Sequence, residues 1–326
     1  MSKGMVLVAG GGGFIGGHLV AELRRQGHRV RAVDIKPLDG WYQVFDDVEN
    51  VVADLKLIEE CTRACRGVDT VYQLAADMGG MGFIEHNKAL CMLSVLTNTH
   101  MLQASQAAGV GRFFYSSSAC VYNGEKQTSA DVVPLREEDA YPAMPEDGYG
   151  WEKLFSERMC RHFREDYGLT TRVARYHNVY GPHGTWDGGR EKAPAAICRK
   201  VMAAKATGNH TIEIWGDGTQ TRSFMFVDDC VKGTLAIAAS EILEPINLGS
   251  NELVTINQLV DVAEAIAGIT LERTYNLSAP KGVNGRNSDN TRIQQALGWQ
   301  PSIRLRDGMA RTYAWIHDEY AKARGR

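Results

Sequence analysis

The sequence MVLVAGGGGFIG at residues 5–16 joins a short apolar run to a glycine-rich turn. The apolar run predicts a buried strand, and the apolar residues that follow the turn recur at helical spacing. Between the two lie glycines at the spacing of a dinucleotide-binding turn: Gly10, Gly13 and Gly16. Such a turn brings backbone N–H groups and a helix N-terminus close to a pyrophosphate. The stretch therefore predicts a dinucleotide site, with Phe14 and Ile15 beside the cofactor at the start of the helix.

The acidic residue expected in a dinucleotide site follows at the end of the next strand. The strand predicted at residues 28–33 ends at Asp34, a carboxylate that can bind the ribose hydroxyls of an adenosine. A carboxylate at this position repels a 2′-phosphate, so the sequence favours NAD over NADP. Further cofactor contacts are expected where the next two strands end, at Asp54, Leu55, Ala75 and Ala76.

Strands and helices alternate through the first half of the chain. This order predicts an α/β fold with a doubly wound parallel Rossmann sheet. From Tyr176 on the pattern becomes irregular, which predicts a second, smaller α/β substrate domain over the carboxyl ends of the strands. We expect an NAD-binding domain at residues 1–180 and a substrate domain at residues 181–326, with residues 225–250 returning to the large sheet.

Composition excludes several classes of function. The net charge of −3 gives no basic field for nucleic acid or an anionic membrane. No apolar run approaches the roughly 18 residues of a membrane span. The 7 cysteines have no metal-type spacing, and Cys61 and Cys65 are interpreted as ordinary helix residues. We expect no metal and a reduced, cytoplasmic protein.

A second group of residues predicts redox chemistry. The apolar run at residues 112–115 predicts a strand that ends near Ser118. Tyr149 and Lys153 are spaced i and i+4, so their side chains share one face of a helix. A phenol with a pKa of about 10 is a poor base, but a neighbouring ammonium favours the phenolate. A serine, a tyrosine and a lysine of this kind can deprotonate an alcohol while a cofactor takes its hydride. Tyr149 and Lys153 are also expected to contact the cofactor.

The chain resembles the extended short-chain dehydrogenases that remodel nucleotide sugars, the NAD-dependent epimerase/dehydratase group. The resemblance rests on residues 74–84, 117–120, 177–196 and 285–290, and it extends from about residue 5 to about residue 315. It departs from the family pattern at residues 122–124. The resemblance implies tightly bound NAD and inversion of C3 and C5 of GDP-mannose through a transient 4-keto sugar, which gives GDP-L-galactose and GDP-L-gulose.

Oxidation at C4 makes the neighbouring C–H groups acidic, because loss of a proton beside a ketone gives an enolate. Inversion beside that ketone needs a base on one face of the ring and an acid on the other. The resemblance implies that Cys120 is the base and Lys192 the acid. A thiol with a pKa of about 8.5 becomes a usable base when neighbouring cations lower that pKa.

The resemblance also implies contacts to the nucleotide sugar and an assembly state. The expected substrate contacts are Gly79, Gly80, Ser118, Ala119, Cys120, Asn178, Glu191, Lys192, Ala193, Lys200, Gln220, Thr221, Arg222 and Arg286. Arg222 and Arg286 suit bidentate recognition of phosphate. A homodimer through the helices near residues 88–108 and 149–167 is expected.

Three other functions are compatible with parts of the sequence. A 4,6-dehydratase would form the same ketone, but it needs an acidic pair where Ala119 and Cys120 stand. A 4-epimerase of a different nucleotide sugar needs neither Cys120 nor Lys192. A nucleotide-sensing protein without catalysis would have no use for Ser118, Tyr149 and Lys153. The nucleotide base cannot be assigned from the residues themselves.

Overall fold

A computed structural model describes residues 4–324 of the chain. The outer ends of the two predicted domains, residues 1–3 and 325–326, lie outside the described residues. The strands of the described part are β1 Met5–Ala9, β2 Arg29–Asp34, β3 Glu49–Val52, β4 Val68–Gln73, β5 Arg112–Ser118, β6 Thr171–Tyr176, β7 Val179–Tyr180, β8 Thr211–Trp215, β9 Thr221–Ser223, β10 Met225–Phe226, β11 Ile246–Leu248, β12 Leu253–Thr255, β13 Glu272–Asn276 and β14 Gly285–Arg286. The helices are α1 Phe14–Arg25, α2 Ile58–Ala64, α3 Met81–His86, α4 Lys88–Met92, α5 Ser94–Ala107, α6 Tyr149–Tyr167, α7 Ala193–Thr207, α8 Val227–Ala239, α9 Ile256–Ala267, α10 Thr291–Leu297 and α11 Leu305–Arg324.

Seven parallel strands form the central sheet in the order β11-β6-β5-β4-β1-β2-β3. Alternate residues of β1 point to opposite faces, so Val6 and Val8 join one core while Leu7 and Ala9 join another. Helices α1 and α8 cover the first face, and α2, α5 and α6 cover the second. The predicted doubly wound Rossmann sheet is therefore confirmed. Burial on both faces explains why β1, which lies inside the sheet, is wholly apolar.

Three small sheets complete the fold: β12-β9-β14, β13-β8 and β10-β7. All three are formed by strands that follow Tyr176 in the chain. One strand of this later part, β11, instead returns to the large sheet and pairs with β6 in parallel. The division into domains at residue 180 stays a proposal, since no measurement on the described residues separates the two units. Among the helices of residues 4–324, none combines the length and apolar character that a membrane span needs.

Two local features differ from what the sequence predicted. The helical segment expected near residues 88–108 is two helices that meet at Leu93, and a further helix, α3 at Met81–His86, was not predicted. Asn87 separates α3 from α4 at φ −130° and ψ 40°, outside helical geometry, and its side chain donates to the Phe83 carbonyl at 2.8 Å. An asparagine that bonds the backbone in this way competes with the helix and ends it.

A buried ion pair ties the elements of the site edge together. Glu157 on α6 accepts two bonds from Arg175 on β6, at 2.8 and 2.9 Å, and one from Ser117 on β5 at 2.6 Å. Arg175 also donates to the Glu137 carbonyl at 2.6 Å. Because both charged groups are fully paired, the network can stay buried and fix α6 against the sheet.

The glycine turn depends on close backbone packing. A Cβ at Gly16 would lie 2.0 Å from the Gly10 carbonyl oxygen, whereas a Cβ at Gly17 would meet only the Gln43 side chain, at 3.2 Å or more. We predict that Gly16→Ala lowers the free energy of unfolding by about 1–3 kcal/mol, because backbone must move. Gly17→Ala is the matched control and should change it by no more than about 1 kcal/mol. Urea unfolding of the two variants measures this, and equal stability would contradict the packing argument.

Candidate active site

Strand β5 delivers Ser118 to the carboxyl edge of the sheet. The Ser118 Oγ accepts the backbone N–H of Cys120 at 3.2 Å and so caps a short 3₁₀ turn at Ala119–Val121. The cap is the local reason that the chain turns there. It places the Cys120 thiol one step beyond the strand, at 7% exposure.

Helix α6 begins directly against this turn. A Cβ at Gly150 would lie 2.3 Å from the Cys120 carbonyl oxygen, so only glycine allows the approach. As a result Tyr149 and Cys120 pack in one buried cluster. One turn further, Lys153 is 2% exposed and donates to the Ser116 carbonyl at 3.1 Å. The predicted serine, tyrosine and lysine are thus brought together.

The ionisation of this pair differs from the sequence hypothesis. Burial raises the pKa of Tyr149 well above its usual value and lowers the pKa of Lys153. The Lys153 ammonium lies 5.5 Å from the centroid of the Tyr149 ring and gives its hydrogen bond to Ser116. Removal from water therefore outweighs the attraction that was expected to favour the phenolate.

Cys120 has two charged neighbours. Arg286, on β14, donates from Nη1 to the Cys120 Sγ at 3.7 Å and from Nη2 to the Glu146 carboxylate. Burial raises the pKa of the Cys120 thiol to about 11, and the charge of Glu146 adds to this while Arg286 opposes it. The expectation that neighbouring cations give this thiol a lowered pKa is therefore wrong, because the effect of burial exceeds that of Arg286.

Lys192 is the last residue of the loop that precedes α7, and its side chain lines the same cavity as Cys120. The backbone of this loop is held by Gly80, whose N–H donates to the Arg190 carbonyl at 3.1 Å. Within the described part of the chain, the Lys192 ammonium has no hydrogen-bond or ion-pair partner. Burial lowers its pKa, against an opposing influence from Cys120. A half-buried cation without a partner is suited to an anionic or proton-accepting ligand.

One cavity of about 300 Å³ unites most of the predicted substrate contacts. It is lined by Gly79, Gly80, Ser118, Ala119, Cys120, Tyr149, Asn178, Glu191, Lys192, Ala193, Lys200, Gln220, Arg222 and Arg286. Thr221 does not line it, because its hydroxyl donates to the Ala130 carbonyl at 2.5 Å and the side chain faces away.

The two predicted phosphate ligands are not equivalent. Arg222 donates to the carbonyls of Thr221, Lys281 and Val283 at 2.6–2.9 Å, and burial together with Arg286 lowers its pKa to about 10. Lys281 lines the cavity beside it and was not predicted. Arg286 instead pairs with the Glu146 carboxylate, whereas Arg222 bonds only uncharged carbonyl groups. Among the described residues, the cavity cations without a carboxylate partner therefore include Lys192, Arg222 and Lys281.

The glycine turn at the other end of the site fits a dinucleotide. Gly10 has φ 83°, a backbone conformation that favours glycine. A Cβ at this position would lie 2.9 Å from the Ala75 backbone nitrogen, so no side chain fits between the glycine turn and Ala75. Helix α1 points its N-terminus at the turn, with Phe14 and Ile15 as its first residues. Asp34, Asp54, Leu55, Ala75 and Ala76 follow the ends of β2, β3 and β4, so they ring the same edge of the sheet.

Sequence reasoning missed several residues of the site. Lys36 donates to the Gly12 carbonyl at 2.8 Å, beside the carboxylate of Asp34. Behind α6, Asn98 accepts from Gln73 and donates to Glu152, all buried. Glu146 was missed because it lies in an irregular loop with no periodicity. Its one local signal is that it stands three residues before Tyr149.

Comparison with known proteins agrees with this geometry. The model of the NAD dependent epimerase/dehydratase family matches residues 6–249. GDP-mannose 3,5-epimerase 1 of Oryza sativa subsp. japonica is 45% identical over 97% of this chain and 82% of its own length. GDP-mannose 3,5-epimerase of Arabidopsis thaliana is 43% identical over 98% of this chain and 84% of its own length.

Among solved structures, MoeE5 in complex with UDP-glucose and NAD has a TM-score of 0.81 at 30% identity, covering 97% of this chain and 100% of that one. The match agrees with the glycine cradle and with Asp34, and the expected cofactor is confirmed. On these grounds the chain belongs to the NAD dependent epimerase/dehydratase family, with NAD as its cofactor.

Proposed function

We propose that the chain inverts C3 and C5 of GDP-mannose, giving GDP-L-galactose, and GDP-L-gulose when C5 alone is inverted. The observation that carries the proposal is that the Cys120 thiol and the unpartnered Lys192 ammonium line one cavity beside Tyr149. The relatives named GDP-mannose 3,5-epimerase support the choice of substrate.

Tyr149 and Ser118 act at C4. Tyr149 takes the proton of the C4 hydroxyl, and Ser118 holds the same oxygen by a hydrogen bond. Bound NAD supplies the chemistry that this chain lacks, accepting a hydride and returning it. Lys153 is anchored on the Ser116 carbonyl, and its ammonium stabilises the phenolate form of Tyr149, which is the form that accepts the proton and becomes the neutral phenol.

Cys120 and Lys192 act on the carbons beside the ketone. Cys120 removes the proton at C5 from one face of the ring, and Lys192 delivers a proton to the other face. The same pair then acts at C3. Ser118 stabilises the oxyanion of the enolate between the two proton transfers. Each general acid or base of this kind is typically worth about 10²–10⁴-fold in rate.

The diphosphate is bound by the cationic end of the cavity. We propose Arg222, Lys200 and Lys281 for it, with Asn178 and Gln220 as amide partners. The amide oxygen of Gln220 is buried without a partner in the described structure, so it can accept a bond from the ligand. Gly79, Gly80, Ala119, Glu191 and Ala193 shape the sugar end.

A 4-epimerase of another nucleotide sugar is the alternative. It would use Ser118, Tyr149 and Lys153 alone. It would leave the thiol and the Lys192 ammonium without a task, although holding an unpaired cation in a half-buried position has a desolvation cost. The cavity therefore favours inversion beside the ketone.

We also propose a homodimer that works in the cytoplasm. Large apolar side chains are exposed on neighbouring parts of α5 and α6: Leu93, Leu96, Trp151 and Phe155. Exposed apolar side chains of this size on two helices that pack together are typical of a subunit interface. The cysteines are all buried free thiols, in keeping with a reducing compartment.

The activity can be tested with purified protein and GDP-mannose. We predict two products, GDP-L-galactose and GDP-L-gulose, without consumption of added cofactor. Product separation by chromatography and identification by NMR measure this. A product inverted only at C4 would replace the proposal by the 4-epimerase, and a stable keto-deoxy sugar would replace it by the dehydratase.

The role of the thiol is tested in the same assay with Cys120→Ala. We expect the variant to retain NAD and to bind GDP-mannose, while formation of both products falls by at least about 10²-fold. Cys91→Ala is the matched control, since Cys91 is buried in the same cluster but does not line the cavity. It should stay active.

The assembly is tested by light scattering. We predict twice the mass of one chain for the natural protein and one chain mass for Phe155→Glu, because a charge on the apolar face cannot be buried in the interface. Leu277→Glu is a control at an exposed leucine away from α5 and α6, and it should remain dimeric. A single-chain mass for the natural protein would end this proposal.

A further inference from the structure

Glu146 is a buried carboxylate that the mechanism above does not use. It lies in the loop before α6, and its backbone N–H donates to the Cys120 carbonyl at 3.0 Å. Its side chain is 13% exposed and lines the cavity. This hydrogen bond keeps the Glu146 main chain beside Cys120 in any conformation of the Glu146 side chain.

The Arg286 guanidinium connects the two side chains. It is 5% exposed, and its donors are shared among Cys120 Sγ at 3.7 Å, the Glu146 carboxylate, and Gln127 Oε1 at 2.7 Å. Moving Arg286 toward a phosphate would break these bonds and leave Glu146 as an unpaired buried charge. Leaving one charge of a buried ion pair without its partner is strongly destabilising. In this structure Arg286 is therefore held beside the thiol and Glu146.

Glu146 does more than neutralise Arg286. One carboxylate oxygen, Oε2, is buried and has no hydrogen-bond partner in the described residues. Its negative charge is therefore only partly compensated by hydrogen bonds. A thiol beside this pair is under two opposed influences, since a cation favours the thiolate and a carboxylate disfavours it.

We infer that Glu146 is a positioning residue for Cys120: its carboxylate clamps Arg286 on the sulfur, and the two opposed charges set the conditions under which the thiol reacts. The inference deepens the proposed function, because it rests on Cys120 as the base beside the ketone. A base used at C5 and again at C3 must lose its proton between the two events, so its charge environment controls double against single inversion.

Other groups also face the thiol. Tyr149 and Lys153 approach it from α6, Lys192 from the start of α7, and Arg222 from β9. None of these changes when Glu146 is replaced. A shift in the behaviour of Cys120 in a Glu146 variant can therefore be assigned to the carboxylate.

The test is the rate of alkylation of Cys120 by iodoacetamide between pH 7 and pH 11, in the full chain with its NAD bound. The labelled peptide is quantified by mass spectrometry, and Cys120→Ala identifies it. In Glu146→Gln we expect the midpoint of the pH profile to fall by about one unit, because the isosteric amide keeps an acceptor for Arg286 without the charge. The alkylation rate at pH 8 should rise about threefold, since a weaker base is also a weaker nucleophile.

Two controls make the result specific. Glu146→Asp keeps the charge and should retain a midpoint near that of the natural protein. Glu138→Gln makes the same change of net charge at an exposed position and should not move it. An unchanged midpoint in Glu146→Gln, or an equal shift in Glu146→Asp, would overturn the inference. If Glu146→Gln does not fold, Arg286→Met replaces it and should alkylate more slowly at pH 9; an equal or faster rate would overturn the inference.

No nucleotide sugar takes part in this assay. A protein that fails to convert GDP-mannose but shows the predicted alkylation shift would refute the proposed function and keep the role of Glu146. A protein that converts GDP-mannose but shows no alkylation shift would support the proposed function and refute the role of Glu146.

Discussion

The site depends on holding charged groups out of water at the carboxyl edge of the central sheet. The Lys153 ammonium is the clearest case, because it is 2% exposed and no carboxylate in the described residues lies within 4.0 Å of it. Its partners are the Ser116 carbonyl and the faces of the Tyr115 and Tyr149 rings, at 4.9 and 5.5 Å. An ammonium so weakly paired costs several kcal/mol, and it is tolerated because the surrounding fold cannot relax around it.

The fold supplies that rigidity through long-range contacts. The Glu157–Arg175 pair joins α6 to β6, and Ser117 ties β5 to the same carboxylate. Gly150 allows the first turn of α6 to touch the Cys120 turn. These contacts bring Ser118, Tyr149 and Cys120 to one cavity. Glu146 lies in the loop before α6 and is hydrogen-bonded to the Cys120 carbonyl, and we propose that it tunes single against double inversion.

Much of this was predictable from sequence, for a physical reason. Buried parallel strands, the glycine turn and the Tyr149–Lys153 spacing are local patterns, so β1, β5 and α6 were predicted nearly to their ends. Glu146, Gln127 and Lys36 were not, because they lie in irregular segments and acquire a role only when distant strands meet. Thr221 illustrates the remaining error: adjacent residues of a strand point to opposite sides, so Arg222 and Thr221 cannot both face the cavity. The ionisation of Tyr149 and Cys120 also required the structure, because desolvation depends on burial and not on spacing.

The central claim is that a transient ketone at C4 lets Cys120 and Lys192 invert its two neighbours. Conversion of GDP-mannose in deuterated water, followed by NMR of the recovered products, tests it most directly. The account predicts solvent deuterium at C5 in both products, at C3 only in GDP-L-galactose, and none at C4. Deuterium at C4, or inversion without deuterium at C3 and C5, would contradict it.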